Sequence, residues 1–97
     1  MTKETIAQVL EAEGIGSGKE IKEGRFTVPE NREAVILIAT PGDVMPVERL
    51  VSVELRDKYL VVENAKHERH FITYDSVLGL RLLSTPAARE RVAGFGR

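Results

Sequence analysis

The chain lacks cysteine and tryptophan altogether, and aromatic residues fill only 5% of its 97 positions. Without a thiol there can be no disulfide, no thiolate nucleophile and no sulfur-ligated metal. A reducing compartment, the cytoplasm, is therefore the expected home. Long apolar runs are missing too. The longest, residues 34–39, is far short of the roughly 20 residues that cross a bilayer. Met1-Thr2-Lys3-Glu4 leads into a polar-faced helix rather than an apolar signal core, so neither a membrane-spanning nor a targeting segment is expected. An excess of one charge is also absent. The net charge of −1 argues against a general polyanion binder.

What is present describes a packed globular domain. Hydrophobic residues at 42% and charged residues at 30% fit neither a disordered nor a fibrous chain. A chain of this length buries about 60–70% of its unfolded surface, enough for one modest core. Charge is unevenly spread: residues 66–97 hold six Lys and Arg against three Asp and Glu, whereas residues 1–33 hold five against seven. The basic C-terminal third is a candidate contact for an anionic partner, although such an excess is also what a solvated face looks like.

Residues 2–13 place Ile6, Ala7, Val9 and Leu10 on one stripe at helical spacing, with Thr2 as cap and Gly14 as stop. Gly16, Ser17 and Gly18 read as a flexible connector, and Ile21, Phe26 and Val28 as a short strand interrupted at Glu23-Gly24. Residues 34–40 read as a strand apolar on both faces, ended by the turn Pro41-Gly42-Asp43. From Val47 the pattern alternates, with Val51, Val53 and Leu55 on one face and Ser52, Glu54 and Arg56 on the other, Leu50 interrupting the polar side. Two reversals, at residues 56–58 and 64–69, flank a strand at 59–63. A strand at 70–74, a tight turn at Asp75-Ser76 and a strand at 77–83, with Leu78, Leu80 and Leu82 together, complete the ordered part. The expectation is one domain over residues 1–86, with the helix in 1–14 and the strands in 20–83. A partly ordered tail, 87–97, carries a short C-terminal helix over 87–93.

Several short strands joined by tight reversals must close on themselves or leave open edges. The fold class expected is thus mainly β with a short N-terminal helix, forming a small antiparallel barrel or strongly curled sheet. From residue 34 to 83 the order of elements resembles the Sm-like barrel, including the Hfq type. The order runs from a strand up to Pro41-Gly42-Asp43 through a long bent strand to Leu55 and a hairpin at Asp57-Lys58. It ends in Phe71-Ile72-Thr73-Tyr74-Asp75-Ser76-Val77. SH3-like and pleckstrin-like sheets share nearly the same string. Sm-like proteins usually keep a glycine in the bent strand, where this chain has Glu48-Arg49-Leu50-Val51. The resemblance implies a barrel and, for the Sm-like kind, nucleic-acid binding.

No cluster meets the requirements of catalysis. Gly14-Ile15-Gly16-Ser17-Gly18-Lys19-Glu20 differs from a phosphate-binding loop. Its first glycine lies one residue too close to Gly18-Lys19, and Glu20 stands where the metal-binding hydroxyl belongs. His67 and His70 are three apart, on opposite sides if in a strand, and read as a solvated hairpin tip rather than a metal site. Asp75 and Ser76, with His70 upstream, are explained by bonding to turn backbone. The pairs Asp43/Glu48 and Glu54/Asp57 fall at turns or on exposed faces. No enzyme activity, cofactor or metal is expected.

The surplus apolar surface of strands 34–39 and 59–62 calls for a partner or a second copy of the chain. The expected function is a non-enzymatic binding or adaptor module, self-associating, with Val44, Met45, Leu50 and Leu60 as contacts. The alternative is a nucleic-acid-binding barrel using Lys58, Lys66, Arg69 and Arg81 on phosphates with Tyr59 or Tyr74 stacking. A small ligand-binding regulator is the third reading, distinguished by a deep pocket with converging polar groups.

Overall fold

A computed structural model describes residues 1–84; the helix expected over 87–93 lies outside them. The order is α1 (Lys3–Ala12), α2 (Gly18–Lys22), β1 (Arg25–Thr27), β2 (Arg32–Thr40), β3 (Asp43–Val47), β4 (Leu50–Leu55), β5 (Tyr59–Asn64) and β6 (Arg69–Thr73). A single 3-10 turn (Tyr74–Ser76) and β7 (Val77–Ser84) follow. The protein is mainly β behind a short N-terminal helix, as the alternation of the sequence implies. Thr2 caps α1 by accepting a hydrogen bond from the Thr5 amide, and Gly14 leaves the helix at positive φ. The connector is not wholly irregular, because Ser17 accepts from the Glu20 amide and starts the one-turn α2, which takes Ile21 out of the expected strand.

The strands form two antiparallel sheets, in the orders β1-β4-β5-β6 and β3-β2-β7. Their inner faces share one core with the apolar stripe of α1 and the loop after it: Ile6 and Leu10 of the helix and Ile15 of the loop lie with Phe26, Ile36, Val53, Leu60 and Val62, each at most 1% exposed. Removing a side chain of this kind typically costs about 2–5 kcal/mol, so α1 is part of the core and not an appendage. Arg32 ties the end of α1 to β2, its guanidinium donating to the Glu13 carbonyl at 2.8 Å and to the Glu13 carboxylate at 2.7 Å.

The closed barrel is not found among the described residues, for a local reason. The strand expected to run unbroken through residues 47–55 is cut at Glu48-Arg49, where Arg49 takes φ 57°, and β3 and β4 separate into different sheets. The corner falls on an arginine in the left-handed conformation. Two register shifts then move side chains across faces. Between Leu50 and Ser52 the shift turns Val51 outward and Leu50 inward, at 39% and 4% exposure. Opposite Leu37 and Ile38 a second shift turns Leu78 out of the row expected with Leu80 and Leu82, leaving Val77 in the core.

Candidate interaction surface

Four strands lie at sheet edges, and they differ in what they offer. β1 has only three residues, and Pro46 in β3 has no amide proton to donate. Short length and proline are the ordinary ways of blunting an edge. β6 and β7 carry neither device among the described residues. They also carry Phe71 and Leu78, whose exposures of 64% and 53% are the largest of any big hydrophobic side chain described.

Phe71 belongs to a cluster on the outer face of the first sheet. Its ring lies 6.1 Å from that of Tyr59, tilted by 46°, and the Arg69 guanidinium carbon sits 5.8 Å from its centroid. Both arrangements are weakly attractive. Val61, paired with Phe71 across β5 and β6, is buried on this otherwise polar face. Around it are ion pairs at 2.9 Å, Arg25 with Glu23 and Arg56 with Glu54. The Arg25 guanidinium is pushed above its ordinary pKa first by the Glu23 hydrogen bond and then by its charge. Cations and carboxylates alternate here, so the face has no strong net field.

The residues expected to make protein contacts divide in two. Val44 and Met45 are exposed at 47% and 41%, whereas Leu50 and Leu60 are core residues at 4% and 0%. Leu50 and Leu60 therefore offer no surface to a partner in this fold. The residues expected to meet an anion are scattered. Tyr59 and Arg69 share the outer face just described, while Lys58 lies in the β4–β5 turn, Lys66 at the β5–β6 tip and Arg81 on β7. Tyr74 sits in the 3-10 turn and donates its hydroxyl to the Arg56 carbonyl. Burial, followed by the charges of Asp57 and Glu4, raises its pKa.

The two histidines are not brought together. His67 is at the hairpin tip at φ 66°, 3.7 Å from Glu63, and His70 is half-buried on β6. Ser76 bonds to Thr73 at 3.0 Å within the turn. Among the described residues no group of three His, Cys, Asp or Glu is placed to hold a metal ion, and no helix is long and apolar enough to cross a membrane. Sequence reasoning missed Phe71 and Leu78. The signal for Phe71 was its place opposite Ile72 in an alternating strand, and for Leu78 there was none, since its position depends on the register shift. Comparisons with family models, with curated proteins and with solved structures return no match.

Proposed function

We propose that this chain is a non-enzymatic binding module that acts through protein–protein contacts and self-associates, joining β6 of one copy to β7 of the next. The observation that carries the reading is that the two most exposed large apolar side chains lie on the two edges that neither short length nor proline blunts. Strand addition satisfies the free backbone groups of both edges while covering Phe71 and Leu78. Because β6 and β7 are different surfaces, the contact is heterologous and either closes into a ring or continues. The order β2, bent β3–β4, β5, β6, one-turn link, β7 supports the Sm-like or SH3-like reading of the sequence. Light scattering on a sizing column tests the assembly. The wild type is expected at several times the 10.8 kDa protomer mass, and Phe71→Glu or Leu78→Glu at the protomer mass with an unchanged circular dichroism spectrum. A wild type of protomer mass overturns the reading.

One observation favours nucleic acid as a second reading, the grouping of Tyr59, Phe71 and Arg69 on one sheet face. Exposed rings beside an arginine are what base stacking requires, but Glu54 and Glu63 on neighbouring strands oppose a phosphate backbone. Absorbance at 260 nm that co-migrates with the protein and is lost at raised salt would support this reading over the first.

A further inference from the structure

The two sheets leave a cleft of about 390 Å³ where they part at the Arg49 corner. Its apolar wall comes from Met45, Pro46 and Val47 of β3, and its polar wall from the hairpin tip after β5 and the start of β6. Three basic side chains from three separate segments line it: Arg49 at the corner, Lys66 at the tip and His70 on β6. Among the described residues neither Arg49 nor Lys66 is in an ion pair, and the His70 imidazole has no hydrogen-bond partner.

Two features hold the backbone around the cleft in advance. The Asn64 side-chain oxygen accepts from the Lys66 and Glu68 amides, both at 3.0 Å, and its amide donates to the Glu68 carboxylate at 2.7 Å, fixing the tip. The Ala65 amide then donates to the Arg49 carbonyl at 2.9 Å, locking tip to corner. The corner is also strained, because φ 57° suits glycine and is unfavourable for a residue with a Cβ. Strain retained at a cleft points to a use for the side chain that causes it.

The geometry points to a binding site for a small monoanionic carboxylate with an apolar body, the carboxylate held by Arg49 and Lys66 with His70 in reach, the body against Met45 and Val47. This goes beyond the assembly reading and does not depend on it. A single charge fits better than two, since Glu48 and Glu68 also line the cleft and offset part of the charge of Arg49 and Lys66. Arginine presents a planar fork of donors that matches a carboxylate.

Titration of the labelled protein with 3-phenylpropionate, read by amide shifts, tests the site. Saturable shifts are expected at Arg49, Ala65, Lys66 and His70. The neutral 3-phenylpropanamide and the bodiless acetate should each bind about tenfold more weakly or worse, the size of one charge-assisted hydrogen bond or a few buried methylenes. Arg49→Gly should abolish the response while keeping the spectrum of a folded protein. Absence of saturable shifts in the wild type, equal binding of the amide or of acetate, or undiminished binding to Arg49→Gly would each overturn the proposal. If Arg49→Gly failed to fold, Lys66→Gln, at an exposed position, would give the same reading.

Discussion

Gly24 and Arg49 both hold the chain at positive φ, 80° and 57°, where it turns from one element into the next, yet the two corners are built on opposite terms. At Gly24 a Cβ would stand 2.8 Å from the Leu55 carbonyl oxygen, while the Leu55 amide donates to the Gly24 carbonyl at 2.7 Å. Backbone lies against backbone, and only glycine fits. At Arg49 the side chain is exposed and the constraint is confined to φ, together with the bond from Ala65. Packing chooses the residue at the first corner. At the second, packing leaves the choice open, and the presence of arginine has to be explained by what its side chain does.

The comparison is broken most sharply at Gly24. Gly24→Ala adds the left-handed penalty of about 1–2 kcal/mol to the displacement of Leu55 and the loss of its hydrogen bond, for a total of about 3 kcal/mol. For a domain of this size that lowers the thermal midpoint by roughly 10–20 °C, measured by circular dichroism. A midpoint within a few degrees of wild type would mean the chain is not pinned against Leu55. The same corner test at Arg49 has the opposite sign. Arg49→Gly relieves about 1–2 kcal/mol of strain and adds roughly 0.5–1 kcal/mol of backbone entropy to the unfolded state. The net gain in stability is about 0.5 kcal/mol, read as a shift in denaturant midpoint. A loss exceeding 1 kcal/mol would show that the guanidinium supports the fold, and would remove the strain argument for the cleft.

Much of the fold was legible because local chemistry decides it. Thr2 and Gly14 bound α1, Pro41-Gly42-Asp43 turns with Gly42 at φ 77°, and the strands from Tyr59 onward fall within a residue or two of their expected limits. Whatever depends on a register shift was not legible. The periods of Val51 and Leu78 read as core from sequence, yet each is expelled by an extra residue that the partner strand lacks. Closure into a barrel failed for a related reason, since Arg49 gives no sequence signal for a break and only its dihedral angle reveals one. The interaction surface was therefore half legible. Val44 and Met45 sit at an edge as the pattern implied, while the burial of Leu50 and Leu60 depends on which face each strand turns inward.

A third corner, the 3-10 turn between β6 and β7, is held neither by glycine nor by a strained residue. One of its contacts is a side chain reaching out, with the Tyr74 hydroxyl donating to the Arg56 carbonyl in the β4–β5 turn. This sharpens the comparison, because such a corner depends on protonation. A phenolate cannot donate to a carbonyl, and burial together with Asp57 and Glu4 raises the Tyr74 pKa above the ordinary tyrosine value near 10. Once pH passes that value the unfolded chain releases its proton while the folded protein retains it, so the folded state loses ground. The hydrogen bond contributes at most about 1 kcal/mol. The stability of the wild type over Tyr74→Phe should be fully present at neutral pH and shrink as pH rises above about 10, measured by urea unfolding of both proteins. A difference that stays constant across that range would mean the hydroxyl is not held neutral, and the third corner would then rest on its other bonds, from the Met1 ammonium to the Tyr74 and Val77 carbonyls and between Thr73 and Ser76.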